Sequence, residues 1–341
     1  MHFFQRSNDK SGIARAAQSV AAISVLALAA AGCGSASSDG KGGENDGVGT
    51  IRVAMVCGGM TPMVAQLAIN GDTFPEGLGV EKLCFDSGSD AVQALIGGSL
   101  DVFMGSTEHV ISTQAQGLTT RGYAGINNRA PYALLTEANS DIDSVSDLSG
   151  ETIAVTSPGS LSDTELHIAA LTNDVDYSSM KVIGAGSGAP MAAAIKQGQV
   201  AAGMVSEPQQ SELLASGDYR LVWQPEFDYA SIIAVSNSEW VAENEATMEA
   251  FLEGLTQAAE KAKSDEAWAL ETMKMEEFPV SDEVLASAVE AGITSFPDDL
   301  VVSESVFDNT TELLVNVGSL EDGDVPPYDE VFDFNYLPEA P

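Results

Sequence analysis

The chain has 341 residues, of which 44% are hydrophobic and 19% are charged, a composition typical of a globular protein with one large domain or two modest ones. Its 14 Lys and Arg stand against 51 Asp and Glu, and the formal net charge of -37 argues against nucleic acid as a partner, because a phosphate backbone is repelled. With only three histidines, the chain is also poorly equipped for a histidine-rich metal centre.

The N-terminus has the pattern of an export signal. Three basic residues precede an Ala-rich apolar stretch over residues 16–31, which is short for a membrane span. Small residues then lead into Cys33, as in a bacterial lipobox, where the cysteine is acylated and becomes the new N-terminus; a plain secretory signal is the alternative. We therefore predict a signal peptide over residues 1–32, lipid on Cys33 and a flexible tether over residues 33–49, which anchor the protein outside the cytoplasm on the cell membrane.

With Cys33 lipidated, Cys57 and Cys84 remain as an even pair in an oxidising compartment. The sequence leaves two alternatives open, a disulfide or two buried free thiols.

An internal repeat at an offset of one hundred relates residues 51–108 to residues 151–208. Each copy has an apolar strand, a Gly-containing loop and a helix, then a Ser-Gly pair before a second helix, a Gly turn and a strand. At this offset Ser87 matches Ser187 and Gly88 matches Gly188. Each copy therefore predicts a small α/β unit with a parallel sheet, and two such lobes that face each other form a cleft.

Two apolar, β-prone runs, at residues 131–136 and 230–235, bracket the second copy and are predicted to be the crossovers between the lobes. We expect lobe 1 to comprise residues 50–131 and 236–341, and lobe 2 to comprise residues 132–235 with the crossover strands at its ends. Beyond the second run, the pattern predicts helices over residues 239–263, 265–277, 281–293 and 303–317, followed by a surface segment over residues 318–341.

The motifs of the two copies, taken in order, resemble a known family. They are GGMTP, SGSDAVQALIGGSLDVFMGSTEH, NRAPYALLT, LSGETIAVTSPGS and IKQGQVAAGMVSEP. Together they look like the substrate-binding proteins of ABC importers in the nitrate, sulfonate and taurine group (SsuA/THI5-like, NMT1-like), which shares its fold with thiamine-precursor binders. The resemblance covers residues 50–235 and, more loosely, the helical remainder.

The resemblance implies an α/β, two-lobed periplasmic-binding-protein fold of type II, in which each lobe is a mainly parallel sheet flanked by helices. It also implies that the lobes close around a small molecule and deliver it to an ABC permease and its ATPase. We expect a monomer with no cofactor, no catalytic residue and no metal site.

The expected ligand contacts follow strands or begin helices in both lobes, where glycine lets the backbone approach a ligand and free N–H groups attract an anionic group. The serines at these places would also serve as ordinary helix caps. The predicted ligand-binding residues are Gly59, Met60, Thr61, Ser87, Gly88, Ser89, Asp90, Ser106, Thr107, Glu108 and Arg129 on one side, and Ser157, Gly159, Ser160, Ser187, Gly188, Ala189 and Glu207 on the other.

Alternative roles are considered for three residues, Arg129, Glu207 and His109. Arg129 either clamps an anionic ligand or neutralises acids at the hinge. Glu207 lies at the cleft edge, as the resemblance implies, or is a solvated loop acid. His109 follows Glu108 and is interpreted as a half-exposed capping-turn residue rather than a ligand contact. The ligand class also stays open. The resemblance favours a nitrate-, sulfonate- or taurine-like ligand, whereas the negative charge of the protein argues partly against an anion and leaves a cation or a heterocycle with N–H donors as the alternative.

Three alternatives belong to other functional classes. Residues 184–189 fit the G-x-G-x-x-A pattern of a dinucleotide-binding oxidoreductase, although they do not open a βαβ unit of the usual size. A thiamine-pyrimidine precursor enzyme of the same fold relies on a Cys-rich motif and histidines, and neither cluster is present. An extracytoplasmic sensor is the third alternative.

Overall fold

The computed structural model describes residues 47–339. The predicted signal peptide, the lipid site at Cys33 and most of the tether lie outside this range. None of the helices within it is both long and apolar enough to cross a membrane.

The described residues form two five-stranded sheets with helices packed around them. The strands are β1 (Thr50–Val56), β2 (Gly79–Phe85), β3 (Val102–Gly105), β4 (Thr120–Arg129), β5 (Tyr132–Glu137), β6 (Thr152–Val155), β7 (Lys181–Gly184), β8 (Ala202–Ser206), β9 (Tyr219–Trp223) and β10 (Asp228–Asn237). The α-helices are α1 (Met63–Asn70), α2 (Gly88–Ile96), α3 (Thr107–Ala115), α4 (Leu161–Thr172), α5 (Ala189–Lys196), α6 (Gln209–Ser216), α7 (Ser238–Glu243), α8 (Glu245–Ser264), α9 (Glu266–Met273), α10 (Asp282–Ile293), α11 (Glu304–Asn316) and α12 (Tyr328–Val331).

The two sheets share one topology, as the repeat predicts. Their strand orders are β2-β1-β3-β10-β4 and β7-β6-β8-β5-β9. In each sheet the first three strands are parallel, and an antiparallel strand adjoins the third. All residues of β3 and β8 are buried, which explains why these strands are continuous apolar or small-residue runs rather than alternating ones.

The strand pairing corrects both predicted crossovers. Residues 132–136 lie within β5, which pairs with β8 and β9 and is therefore an inner strand of the second sheet. The run at residues 230–235 lies within β10, which pairs with β3 and β4 and therefore belongs to the first sheet. The chain instead passes between the sheets at residues 130–131, between β4 and β5, and at residues 224–227, between β9 and β10. The reason is that β10 is hydrogen-bonded along both edges and buried over most of its length, so its apolar run is a central strand and not a connection.

The predicted helices after the second crossover are present, with one difference. Ser281 and Ser303 cap α10 and α11 by accepting hydrogen bonds from the backbone N–H groups three residues later, so both starts are confirmed. The single helix expected over residues 239–263 is divided into α7 and α8 at Asn244, which has non-helical backbone angles.

The C-terminal segment is not simply laid over the surface as predicted. Val331 and Phe332 are 0% and 4% exposed, and Phe332 forms a β-bridge with Gly122 in β4. Its ring packs against Phe307 and stacks on Phe334. The segment therefore contributes to the core of the first lobe.

Cys57 and Cys84 form a disulfide in the structure, with 5.3 Å between their Cα atoms. Cys57 follows β1 and Cys84 lies in β2. The disulfide therefore joins two neighbouring parallel strands near their carboxyl ends, on the side of the sheet that faces the second lobe.

Candidate functional site

The carboxyl ends of the parallel strands of both sheets meet at a cleft, which is where ligands bind in open α/β sheets. A small cavity lies inside it, here called the inner cavity, with a volume of about 20 Å³. Its lining residues are Val56, Thr61, Gly88, Phe103, Met104, Gly105, Ser106, His109, Tyr132, Thr156, Ser160, Leu161 and Ile232. This volume has room for about one water molecule, so a larger ligand enters only if the lobes separate.

A second and larger pocket, here called the outer pocket, adjoins the connections between the sheets. Its volume is about 220 Å³. Its lining residues are Met60, Thr61, Met63, Ile126, Asn127, Arg129, Ala130, Pro131, Ser206, Glu207, Gln210, Gln224, Ala288, Ala291, Gly292, Thr294, Ser295 and Phe296. Thr61 lines both spaces and so lies between them.

Backbone contacts join the two lobes beside these spaces. The Met60 N–H donates to the Glu207 carbonyl oxygen at 2.8 Å. Gly188 has a φ of +64°, and a Cβ added there would lie 2.5 Å from the carbonyl oxygen of Gly58. The predicted Ser-Gly loop of the second lobe therefore holds its glycine for a close contact with the first lobe.

The start of α3 carries a buried histidine that lines the inner cavity. The Ser106 N–H donates to His109 Nδ1 at 3.1 Å, which closes a capping box. Burial lowers the pKa of His109 to about 4, so the ring is neutral and its remaining proton resides on Nε2. His109 is a capping-turn residue as predicted, but it is 5% exposed rather than half-exposed. Its Nε2 is buried and has no hydrogen-bond partner among the described residues.

Glu108 precedes this histidine, and its carboxyl lies near Tyr229 of the first lobe and Thr164 of the second. The residue is partly exposed as a whole, but its Oε1 is inaccessible and without a partner in the described chain. Oε2 accepts a hydrogen bond from Tyr229 Oη at 3.2 Å. Burial raises the pKa of Glu108 to about 7, and the polar groups around the carboxyl, which are its own backbone N–H and the hydroxyls of Ser106, Tyr229 and Thr164, oppose part of that rise.

Glu165, on α4 of the second lobe, is a second buried carboxyl near Glu108. It is 0% exposed, and its Oε2 accepts a hydrogen bond from the Tyr132 N–H at 2.9 Å. Its Oε1 finds no partner among residues 47–339. Burial, and after it the charge of Glu108, raise the pKa of Glu165 well above the usual range. Two buried carboxyls thus interact across the cleft, each from one lobe.

Sequence reasoning missed Glu165, although a signal was present. Leu161, Ile168 and Ala169 stand four residues before it and three and four residues after it, so all share one helix face, and all are buried. A carboxyl on the apolar face of an amphipathic helix is rare unless it is paired or functional. The same reasoning missed Tyr132, which lines the inner cavity and whose backbone N–H donates to Glu165.

Hydroxyl groups line the second lobe's side of the inner cavity. Thr156 Oγ1 lies 2.7 Å from Ser160 Oγ, and the Thr156 N–H donates to Ser162 Oγ at 2.9 Å. The loop after β6 is thereby held in place by its own side chains, with Thr156 and Ser160 on the cavity wall.

The structure distributes the predicted contacts among several places. The inner cavity has Thr61, Gly88, Ser106 and Ser160 on its wall, and the outer pocket has Met60, Thr61, Arg129 and Glu207. Neither wall includes Gly59, Ser87, Ser89, Asp90, Thr107, Glu108, Ser157, Gly159, Ser187, Gly188 or Ala189. Of these, Gly59 and Gly188 lie at lobe–lobe contacts, and Thr107 Oγ1 donates to the Ala230 carbonyl.

Ser87 acts as the cap that the alternative interpretation proposed. Its Oγ accepts a hydrogen bond from the Asp90 N–H at 3.2 Å and donates to Asp90 Oδ2 at 2.7 Å. Asp90 itself is exposed. These contacts stabilise the first turn of α2, and they pair the side chains of Ser87 and Asp90 with each other.

Arg129 and Glu207 border the outer pocket from opposite lobes. Arg129 is exposed at the end of β4. Glu207 Oε1 accepts a hydrogen bond from Ser211 Oγ at 2.9 Å, and burial raises the pKa of its carboxyl. No group of three or more His, Cys, Asp or Glu within residues 47–339 is arranged to hold a metal ion.

Comparison with known proteins gives one family and many similar folds. The family described as NMT1/THI5 like matches residues 75–268, more than half of the chain. No match is found among curated proteins.

Among solved structures, a protein from Bordetella bronchiseptica RB50 shares 23% identity over 84% of this chain and 95% of its own, with a TM-score of 0.73. The alkanesulfonate-binding protein SsuA from Xanthomonas axonopodis pv. citri, bound to MOPS, shares 19% identity over 83% of this chain and 98% of its own, with a TM-score of 0.68. The periplasmic nitrate-binding protein NrtA from Synechocystis PCC 6803 shares 15% identity over 85% of this chain and 87% of its own, with a TM-score of 0.70. These structures confirm the predicted two-lobed periplasmic-binding-protein fold.

Proposed function

Because the chain belongs to the NMT1/THI5-like family, we propose that it is the solute-binding component of an ABC importer, which binds a small molecule between its lobes and delivers it to a membrane permease. The observation that carries this proposal is the set of buried, unpartnered polar atoms in the cleft: Glu108 Oε1, His109 Nε2 and Glu165 Oε1. Buried polar atoms without partners are costly, and a bound solute would satisfy them.

The same site supports binding without catalysis. His109 lines a closed space of about 20 Å³ between the lobes, and the buried carboxyls of Glu108 and Glu165 lie close enough to each other to interact. We assign these groups to recognition: they hold and orient the solute, and the lobes exclude water around it. The loop of residues 184–189 carries no dinucleotide in this proposal, since its Gly188 packs against the backbone of Gly58.

The proposal includes the membrane anchor. Lipid on Cys33 and a tether over residues 33–49 would hold the binding protein beside its permease, where tethering raises its local concentration. The protein then acts as an extracytoplasmic monomer whose partners are the solute, the permease and the ATPase.

Capture of a solute from a cell extract tests the proposed function. Purified protein is incubated with a small-molecule extract of the source organism, separated by gel filtration and denatured, and the released molecules are identified by mass spectrometry. We expect one small molecule, chemically unchanged, in a ratio close to one per chain.

Two glycine variants serve as the controls for this capture. Gly188→Trp places a bulky side chain where even a Cβ would lie 2.5 Å from the Gly58 carbonyl oxygen, and we expect it to retain no solute. Gly198→Trp shares the φ of +64° but has no atom within 4 Å of an added Cβ, so it should retain solute like the original chain. Equal retention by both variants, an empty protein or a chemically converted solute would contradict the proposal.

A further inference from the structure

We propose that the Cys57–Cys84 disulfide positions the loop through which the first lobe contacts the second, so that solute binding depends on this bond. The loop comprises residues 58–61, directly after Cys57, and is here called the contact loop. Neither cysteine is among the described residues that line the inner cavity or the outer pocket, so both act through the loop. This inference rests on the proposed function.

The contact loop meets the second lobe through its backbone. The Met60 N–H donates to the Glu207 carbonyl oxygen at 2.8 Å. A Cβ added to Gly59 would lie 2.7 Å from Ser206 Oγ, so the loop packs tightly against the end of β8. Because an N–H donor and its acceptor lie about 2.7–3.2 Å apart in proteins, a shift of the loop by about 1 Å would remove the bond to Glu207. The position of the backbone therefore decides whether the lobes fit together.

The same loop forms part of the wall of both spaces in the cleft. Met60 lines the outer pocket, and Thr61 lines the outer pocket and the inner cavity. Displacement of the contact loop would therefore change the surroundings of a solute as well as the contact between the lobes.

Two anchors hold the contact loop from its own lobe. The first is the disulfide to Cys84 of β2, beside which the Cys57 N–H donates to the Phe85 carbonyl oxygen at 3.2 Å. The second is Gln66 on α1, which is 0% exposed and donates from Nε2 to the Gly59 carbonyl oxygen at 3.0 Å. The loop is thus connected to a strand on one side and to a helix on the other.

The place of the disulfide indicates positioning of the loop rather than assembly of the sheet. β1 and β2 already pair in parallel over all seven residues of each strand. However, β2 is the outermost strand of its sheet, and Cys84 is exposed. The exposed end of an outer strand opens locally more easily than the core does. The disulfide opposes that opening at the point where the contact loop leaves the sheet.

Hydrogen–deuterium exchange of the unliganded protein, followed by mass spectrometry, tests the positioning. In the double variant Cys57→Ser/Cys84→Ser, the Met60 amide should exchange about 10-fold faster than in the original chain, a factor that matches the net contribution of one hydrogen bond. The amides of β8, which pair within the second sheet, should exchange as before.

A core variant of the same lobe is the matched control. Phe332→Ala removes a buried side chain from the C-terminal segment and leaves both anchors of the contact loop in place. It should lower the stability of the protein without accelerating exchange at Met60. A purely structural disulfide would instead give the two variants the same exchange behaviour.

Reduction by dithiothreitol tests the bond without a substitution. Cys84 is exposed, so the reagent reaches the disulfide. Two electrons and two protons pass to the cysteine pair, the S–S bond breaks to give two thiols, and dithiothreitol becomes a cyclic disulfide. The reduced original chain should exchange the Met60 amide as fast as the double variant does. The double variant, which still contains Cys33, should not change on treatment.

Capture of solute from the extract measures the consequence for binding. After gel filtration, the double variant should retain about 10-fold less solute per chain than the original chain, because the lobes lose a shared hydrogen bond. Phe332→Ala should retain as much as the original chain. Gln66→Leu removes the second anchor and keeps the disulfide, so it should also accelerate exchange at Met60, and it provides the test if the double variant does not fold.

Three results would overturn the proposal: equal exchange at Met60 in the double variant and the original chain, the same acceleration in Phe332→Ala, or equal retention of solute by the double variant and an original chain that retains one. Failure of the proposed function is recognised separately, by an original chain that retains no solute. Exchange at Met60 is measured without solute and does not depend on that result.

Discussion

At the scale of single residues, the cleft is defined by titratable groups that folding alone would not favour. Glu108, His109 and Glu165 each bury an atom without a partner in the described chain, which costs stability. Natural proteins keep such groups where function needs them. Glu165 could have been suspected from its place on an apolar helix face, but its partner across the cleft could not, because the two residues meet only through tertiary structure.

Glu108→Gln should change the pH dependence of stability. A raised folded-state pKa means that the folded protein binds more protons than the unfolded chain between the ordinary pKa of 4.5 and about 7, so this group's contribution falls as pH rises through that window. His109 acts in the opposite sense, because its lowered pKa makes stability rise between about pH 4 and 6.5. The variant removes only the first effect.

Urea unfolding of both proteins at about pH 5 and about pH 8 measures this difference. Relative to the original chain, Glu108→Gln should gain more stability at the higher pH, by up to about 3 kcal/mol. His109→Gln provides the comparison with the opposite sign. The same difference between variant and original at both pH values would contradict the burial of an ionisable Glu108.

At the scale of elements, the local sequence predicted where helices begin better than it predicted which strands pair. The helix starts at Ser281 and Ser303 can be predicted from local sequence, because a capping serine accepts a hydrogen bond from a backbone N–H group of the helix that it precedes. The position of β10 could not be predicted from local sequence, since its sheet is decided by pairing with β3 and β4, about a hundred residues or more earlier in the chain. The C-terminal segment was misplaced for the same reason.

Phe332→Ala tests whether this segment belongs to the core. The side chain is 4% exposed and contacts Phe307, Tyr328 and Phe334. Its removal should lower the free energy of unfolding by about 3–5 kcal/mol, measured by urea titration. Phe334→Ala, at a half-buried position in the same cluster, should cost less. If Phe332→Ala lowers the free energy of unfolding no more than Phe334→Ala does, the segment does not belong to the core.

At the scale of the whole molecule, the sequence repeat predicted the two sheets because copies with the same pattern fold alike. The repeat did not predict the unequal helix starts: Ser87 caps α2 through its side chain, whereas Gly188 precedes α5 without a side-chain cap and contacts the other lobe. The site is therefore less symmetrical than the sequence pattern, with its charged groups supplied by α3 and α4.

The net charge of -37 should make stability depend on salt. Repulsion among acidic side chains opposes the compact state, and salt shortens the range of that repulsion from about 10 Å at 0.1 M to about 3 Å at 1 M. Thermal unfolding near pH 7 should therefore shift upward by a few degrees over this range. Near pH 4, where carboxyls begin to protonate, the shift should shrink. An equal shift at both pH values would assign the effect to something other than charge.

Closure of the lobes around a solute makes the molecule more compact, and small-angle X-ray scattering measures this change. The radius of gyration of the purified protein is measured with and without the solute retained from the extract. We expect the radius to decrease for the original chain and for Gly198→Trp, and not to decrease for Gly188→Trp, whose side chain meets the Gly58 carbonyl. An unchanged radius of the original chain at saturating solute would contradict closure of the lobes.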